Sequence, residues 1–199
     1  MLNPIDSDEL TVQVAMDRCE EQAASFDCAA LLAMLQDLYA ADESNRAFFH
    51  ARFCLSEDPL QPYKKTIDRS LWSDIFRGQR AFVSKAKRVI TECKDAIGNP
   101  EGLAELMVFY CERTAGFCAD VFHTDPAYFD ALVRMFAQAL KTMFALPTNV
   151  QTSLLSRLDR VRSIGGQLGY GVGEDMDVLR AGFDSSFQAR EVLHGNRNR

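Results

Sequence analysis

The chain has 199 residues, 47% of them hydrophobic and 25% charged, which is the composition of an ordinary globular protein. A chain of this length buries enough apolar surface to fold without a metal or disulfides. No apolar run approaches the roughly 20 residues of a membrane-spanning helix, and residues 1–9 carry three acids and no basic residue, unlike a signal or transit peptide. We therefore expect a cytoplasmic protein without a membrane span.

The charge of the chain changes sign along its length. Residues 1–58 hold 12 acids against 3 Lys and Arg, a net charge of −9, whereas residues 64–94 have a net charge of +6 and residues 95–199 one of −3. The basic segment has two interpretations. It contacts a polyanion outside the protein, or it faces the acidic amino-terminal part of the same chain.

Apolar residues recur at steps of three and four through most of the chain, which predicts helices, and no segment alternates as a strand does. The amino-terminal half contains helical patterns over residues 27–41, 44–55 and 82–97. A weaker pattern covers residues 8–24, and residues 64–76 are a candidate for a further helix. Gly98 follows residues 82–97 and is expected to end that helix in the left-handed conformation.

The carboxy-terminal half carries strong helix-start signals. Asn99-Pro100 and Asp125-Pro126 each place a capping side chain before a proline that suits the first helical position. A third helix is expected to begin with a capping box at Thr148 and Gln151, and to stop at Gly165-Gly166.

Together these patterns predict an all-α protein with about seven or eight helices. Because the connections are short, neighbouring helices are expected to be antiparallel, in a single-domain helical bundle or a short array of antiparallel helix pairs. We expect one domain over residues 1–180 and a frayed carboxy-terminal tail over residues 181–199.

The six cysteines are widely spread, form no C-x-x-C pair and are expected to act as small buried hydrophobes. They are Cys19, Cys28, Cys54, Cys93, Cys111 and Cys118. Cys111 and Cys118 lie two turns apart on one helix, about 10.5 Å along its axis. That separation is too long for a disulfide or for two ligands of one zinc ion, so core packing is the preferred interpretation.

Two of the histidines are candidates for a metal ligand or a catalytic base. His50 and Cys54 are four residues apart, which suits two ligands of one metal, but no second pair accompanies them and a half-buried helix explains them as well. His123, in the turn before Asp125, is either a general base or a turn histidine near a helix end. We predict no metal ion and no cofactor.

The segment "GGQLGYGVGEDMD" (165–177) concentrates five glycines and three acids. It lacks the strand and the glycine spacing of a phosphate-binding loop, so a structured turn after a helix is expected, with Tyr170 anchoring it against the bundle. The alternative is a ligand site near this turn. Its candidate residues are Tyr110, His123, Tyr170 and Asp175.

The basic segment is the main candidate for a binding surface. Its cations could neutralise several backbone phosphates, although no recognition-helix motif accompanies them. The candidate contacts are Lys64, Lys65, Arg77, Arg80, Lys85, Lys87 and Arg88.

Three stretches together resemble an uncharacterised bacterial family of small helical proteins. They are "CAALLAMLQDLYAADESNRAFFHARF" (28–53), "SKAKRVITECKDAIGNPEGLAELMVFYCERTAGFCADVF" (84–122) followed by "YFDALVRMFAQAL" (128–140), and "IGGQLGYGVGEDM" (164–176). The resemblance spans most of residues 28–180. It implies an all-helical fold and carries no activity, so it assigns no functional residue.

No metalloprotease, serine-hydrolase, kinase or helical metal-ligand motif occurs in the sequence. The favoured hypothesis is therefore a non-enzymatic cytoplasmic interaction or scaffold protein, with a protein partner or a second copy as its target. One alternative is a nucleic-acid or other polyanion binder that uses residues 64–94. Another is an enzyme or small-ligand binder with a site near residues 165–177.

Overall fold

The computed structural model describes residues 7–53, 55–72, 83–121 and 125–195, with side chains from 12 to 188 except those of 95 and 97. Over these ranges it contains helices and no strand, which confirms the predicted all-α fold with slightly more helices than expected. The helices are α1 (Ser7–Ala23), α2 (Cys28–Ala41), α3 (Glu43–Phe53), α4 (Gln61–Leu71), α5 (Val83–Ile97), α6 (Pro100–Val121), α7 (Pro126–Met143), α8 (Thr148–Leu168) and α9 (Val172–Gly195).

Contacts divide the chain into two units, residues 1–46 and residues 47–199. The first unit contains α1, α2 and the start of α3. The side chain of Asp27 caps α2 by accepting a hydrogen bond from the backbone N–H of Ala30 (2.7 Å). No residue of α2 is buried. The expectation of one domain over residues 1–180 stays a prediction.

The second unit is organised around α6. This helix packs against α7, α8, α4 and α5, while α9 packs against α8 and α7. Besides its large apolar side chains, α6 carries a second buried stripe, made of small side chains. The second stripe is Ala104, Val108, Cys111 and Ala115, all fully buried. A helix with neighbours on several sides needs small residues where their backbones come close.

The predicted starts of α6 and α7 are confirmed. The Asn99 side chain accepts a hydrogen bond from the N–H of Glu101 (3.0 Å), and the Asp125 side chain accepts one from the N–H of Ala127 (2.9 Å). The left-handed end of α5 is confirmed as well, since Gly98 has a φ of +60°.

The capping box predicted for α8 is wrong. Pro147 occupies the cap position and supplies no side-chain acceptor. The Gln151 side chain is 3% exposed, and its Nε2 donates to the carbonyl oxygens of Met143 (2.9 Å) and Leu146 (2.8 Å). Gln151 therefore donates to the last carbonyl of α7 and to one in the connection that follows, rather than satisfying the first N–H groups of its own helix.

The predicted end of α8 at Gly165-Gly166 is also wrong, because the helix continues to Leu168. The turn is confined to Gly169, Tyr170 and Gly171, which all have positive φ (76°, 55° and 77°). The neighbouring glycines are helical, and they let α8 and α9 approach closely instead of forming a loop.

Residues 181–195 continue α9, and Phe183 in this part of the helix is buried. The boundary expected at residue 180 thus falls inside a helix.

Three of the cysteines, Cys93, Cys111 and Cys118, lie in the core as expected. The expectation is wrong for Cys19 and Cys28, which are exposed on α1 and α2. Cys54 lies outside the described residues.

Candidate functional site

The described cations of the basic segment, residues 64–94, differ in their ion-pair partners and in their exposure. Lys64 of α4 is engaged by Asp58 (3.4 Å) and Glu105 (3.2 Å), and Arg88 of α5 pairs with Glu92 on its own helix (3.1 Å). The remaining described candidates divide between exposed side chains, Lys65 and Lys85, and a half-buried one, Lys87. Arg77 and Arg80 lie outside the described residues.

Lys87 instead belongs to a cleft between α5, α6 and α7, which we call the α5–α7 cleft. Its volume is about 550 Å³. One wall consists of Lys87, Thr91 and Lys94 on α5, and the opposite wall of Arg134, Gln138 and Lys141 on α7. Each wall therefore repeats the same order of cation, neutral polar residue and cation at positions i, i+4 and i+7, which lie on one helix face.

The floor of the α5–α7 cleft is apolar. It is formed by Ile90 of α5, Leu103 and Met107 of α6, and Met135 of α7. Thr142 completes the lining, and its hydroxyl donates to the backbone carbonyl of Gln138 (2.9 Å). Two cationic edges over a floor of flexible, polarisable methionine side chains form an amphipathic surface.

The lining of this cleft contains four cationic side chains and no carboxylate. Burial, together with the charge of Arg134, lowers the pKa of Lys87. Arg134 lies 3.8 Å from Asp130 in an exposed pair, a contact that adds little in water. Among the described side chains, no carboxylate lies within ion-pair distance of Lys87, Lys94 or Lys141. The cleft therefore concentrates positive charge.

Sequence reasoning found Lys87 but missed the α7 wall, since Arg134 and Lys141 lie outside the basic segment. A signal was present in the spacing. Lys87 and Lys94 are seven residues apart, as are Arg134 and Lys141, so each pair recurs after two helical turns. Only the packing of α5 and α7 over α6 shows that the two pairs face one cleft.

A second cleft, of about 480 Å³, opens where α4, α6 and α8 begin. Asp58, Glu101 and Glu105 line it beside the polar side chains of Asn99 and Ser153. Glu105 is shared between Lys64 and Arg157, so its charge is already neutralised within the fold.

Arg157 of α8 contacts Glu105 and binds Glu112 through two parallel hydrogen bonds, Nε to Oε1 (2.9 Å) and Nη2 to Oε2 (2.7 Å). Hydrogen bonding to Glu112, and secondarily to Glu105, raises the pKa of Arg157 against the opposing effect of burial. This bidentate geometry joins α6 to α8 and stabilises the bundle rather than presenting a reactive group.

The residues proposed around the glycine turn occupy different environments. Tyr110 is fully buried in α6, where burial raises the pKa of its hydroxyl, and no described residue hydrogen-bonds to that oxygen. Tyr170 is 71% exposed, although its ring lies 5.4 Å from that of Phe129, and Asp175 is exposed in the first turn of α9. His123 lies outside the described residues.

Potential metal-binding side chains are dispersed over the described ranges. No three His, Cys, Asp or Glu side chains gather there as metal ligands do. His50 is half-buried on α3. The partner predicted for it, Cys54, is not among the described residues.

The amino-terminal unit presents large apolar side chains to solvent. Leu32 and Leu35 of α2 are 55% and 40% exposed, and Val12 of α1 is 69% exposed. Further side chains of this surface, which we call the amino-terminal face, are Met16, Leu31, Met34 and Leu38. Exposed apolar residues are common singly, but so many on two consecutive helices are unusual.

None of the described helices combines the length and the apolar character that crossing a bilayer requires. Comparison of the chain with protein-family models, with curated proteins and with solved structures found no match. The resemblance to an uncharacterised bacterial helical family accordingly stays a prediction.

Proposed function

We propose that the protein is a non-enzymatic, cytoplasmic interaction module, and that the amino-terminal face binds a basic protein segment with apolar side chains. The observation that carries the proposal is the exposure of α2. Of its 14 residues, only Gln36 and Asp37 are polar, yet none is buried. A helix that is apolar on all sides is normally covered by other protein, and at this length it is too short to cross a bilayer.

The charge of the amino-terminal unit favours a basic partner. Residues 1–46 carry ten acidic side chains against Arg18 and Arg46, a net charge of −8. A second copy would bring the same negative charge to the interface, whereas a cationic segment would be attracted to it and would orient correctly on approach. The combination of apolar contact and acidic surroundings therefore selects a basic amphipathic helix.

The cytoplasmic location is supported by the state of the cysteines. The described thiols are all unpaired, and three of them lie in the core as apolar filler. Such usage fits a reducing compartment.

The proposal is tested by titrating the full chain with a fluorescently labelled amphipathic helix of leucine and lysine, and with its leucine and glutamate counterpart. We expect only the lysine peptide to bind, with an affinity that falls as salt is added. The double substitution Leu32→Asp and Leu35→Asp should weaken binding roughly tenfold or more, because each aspartate places a charge in an apolar contact.

Val178→Asp is the matched control, since Val178 is 72% exposed on α9, far along the chain from the amino-terminal face. Equal binding of both peptides, or an equal loss in the control, would contradict the proposal. Light scattering supplies a further check. A dimer that the Leu32→Asp and Leu35→Asp variant dissociates would assign the face to a second copy, and binding of neutral phosphatidylcholine vesicles through it would assign it to lipid. Either result would overturn the proposal.

The expected alternative, a polyanion binder using residues 64–94, has weaker support. Lys64 is held by two carboxylates and Arg88 by one, so these cations already have partners within the fold. Salt-sensitive retention on a heparin column, lost on substitution of Lys65 and Lys85, would favour that alternative.

A further inference from the structure

A separate function is indicated by the α5–α7 cleft, and it does not depend on the amino-terminal face. Its volume of about 550 Å³ lies in the range of small-molecule pockets. Lys87 and Lys94 form one edge, Arg134 and Lys141 the other, and the floor between them is apolar. A site with this arrangement has room for one compact molecule.

The positive charge of the cleft is only partly explained by helix stability. Lys94 and Lys141 stand in the last turns of α5 and α7, where the partial negative charge of the helix end favours cations. Lys87 and Arg134 lie further from those ends and repel each other across the cleft. Keeping like charges together is unfavourable unless an anion lies between them.

The floor determines what kind of anion fits. Ile90, Met107 and Met135 are at most 8% exposed, so the apolar area that a ligand can cover belongs chiefly to the half-buried Leu103. A bare inorganic ion would use the cations and leave this area in contact with water, whereas an alkyl or aromatic body would cover it and gain the free energy of apolar burial. The amide group of Gln138 lies between the cations of its wall and can donate to a headgroup. The Thr91 hydroxyl, on the other wall, donates to the carbonyl of Lys87 (3.4 Å).

We propose that the α5–α7 cleft binds an amphipathic anion, with a phosphate or carboxylate headgroup between Lys87 and Arg134 and an apolar body over Leu103. The same chemistry occurs in a free amphiphile and in the headgroup region of an anionic lipid. Arginine supplies directed, paired hydrogen bonds to such headgroups, and lysine supplies a mobile point charge.

Calorimetric titration of the full chain with octyl phosphate, inorganic phosphate and the uncharged octyl glucoside tests the proposal. We expect octyl phosphate to bind more tightly than the other two probes. Alkyl phosphates of increasing chain length should gain roughly three- to fourfold in affinity per methylene until the cleft is filled. Equal affinity for octyl phosphate and inorganic phosphate would overturn the proposal, because the floor would then have no role.

Substitutions assign the binding to this cleft. Lys87→Gln and Arg134→Gln should each weaken octyl phosphate binding roughly tenfold. If either variant fails to fold, the exposed pair Lys94→Gln and Lys141→Gln tests the same edges and should produce a smaller loss. Lys85→Gln is the control, since Lys85 is exposed on α5 and does not line the cleft. Equal losses in the control and in the cleft variants would overturn the assignment.

Vesicles distinguish the two sources of the ligand. Sedimentation with phosphatidylglycerol vesicles, reduced by Lys94→Gln and Lys141→Gln, would identify a lipid headgroup, whereas binding of octyl phosphate without sedimentation would identify a free amphiphile. Both results support the proposal. Binding of a single-stranded oligonucleotide through the same residues, without binding of octyl phosphate, would overturn it.

Discussion

Gly173, the second residue of α9, lies directly against the backbone of Gly166 on α8. A Cβ atom placed on Gly173 would stand 2.6 Å from the Cα of Gly166 and 2.8 Å from its amide nitrogen, whereas a Cβ placed on Gly166 would meet nothing within 4 Å. Of these two residues, only Gly173 is therefore required to be glycine. Backbone atoms are the obstacle, so no side-chain rotation relieves it.

The two glycines should respond oppositely to alanine. We expect Gly173→Ala to lower the free energy of unfolding by about 2 kcal/mol, because the added methyl forces α8 and α9 apart. Gly166→Ala, in open space within a helix, should raise it by up to about 1 kcal/mol through helix propensity. Urea denaturation of both variants measures the difference. Equal effects of the two substitutions would contradict the close helix contact.

Removing Arg157 should destabilise the bundle, because Glu105 and Glu112 would lose the cation that joins them. All three side chains are largely shielded, with exposures of 23%, 24% and 28%. We expect Arg157→Met to lower the free energy of unfolding by about 2 kcal/mol. Arg160→Met, at an exposed position on the same helix, should change it by less than about 0.5 kcal/mol. A comparable loss in both variants would contradict this role.

Substitution of Gln151 tests the correction to the α8 start. Gln151→Met preserves the length of the side chain and removes the donors to the carbonyls of Met143 and Leu146. The carbonyl of Met143 keeps the N–H of Leu146 as a donor (2.9 Å). The carbonyl of Leu146 loses its donor, which should cost about 1–3 kcal/mol of unfolding free energy. Gln167→Met, at an exposed position, is the control. If Gln151 acted only as part of a capping box, the loss would stay near the lower end of capping effects, about 0.5 kcal/mol.

The thiols should fall into two reactivity classes. Cys19 and Cys28 are exposed, whereas Cys93, Cys111 and Cys118 are almost completely buried. Burial raises the pKa of Cys93 and of Cys118 to about 12 and that of Cys111 further, which suppresses the reactive thiolate. Mass-spectrometric mapping after brief iodoacetamide treatment at pH 8 should find the first two modified and the last three protected until urea unfolds the chain. Rapid modification of Cys111 in the native protein would contradict the core assignment.

The same thiols predict loss of stability at alkaline pH. The pKa of Cys93 rises from 9.0 to about 12 on folding, so the native state keeps a proton that the unfolded chain releases. The stability that the buried neutral thiol of Cys93 contributes is complete below pH 9 and is lost as the pH rises from about 9 to 12. The free energy of unfolding should therefore decline over this window. Cys93→Ala should reduce the slope of the unfolding free energy against pH by an amount that corresponds to at most one bound proton. An unchanged slope would contradict the raised pKa.

Local sequence signals predicted the elements of this fold because they act over a few residues. Asn99 and Asp125 cap α6 and α7 as expected, and Gly98 ends α5 in the left-handed conformation. Capping and apolar periodicity depend on neighbours within one or two turns. The same local rules misread Gln151, whose partners Met143 and Leu146 lie at and beyond the end of α7, and Gly165-Gly166, against which α9 packs.

The candidate site shows the same difference between features set by nearby residues and features set by helix packing. Lys87 was identified as part of a basic segment, but the wall formed by Arg134 and Lys141 comes from a helix about 50 residues away in the sequence. Lys64, predicted with the same segment, is instead held by Asp58 and Glu105. Whether a cation faces a ligand or a carboxylate of its own chain depends on helix packing.

The sequence by itself determined that this chain is all helical, where most of its helices begin, and that Cys111 and Cys118 are interior side chains. Only the tertiary structure decided which cations share a cleft, which glycines allow two backbones to meet, and that α2 stays exposed. The physical reason is the separation in sequence over which each interaction acts. Hydrogen bonding within a helix and the pitch of its apolar residues are set by nearby residues, whereas clefts and surfaces arise where residues distant in sequence are brought together by packing.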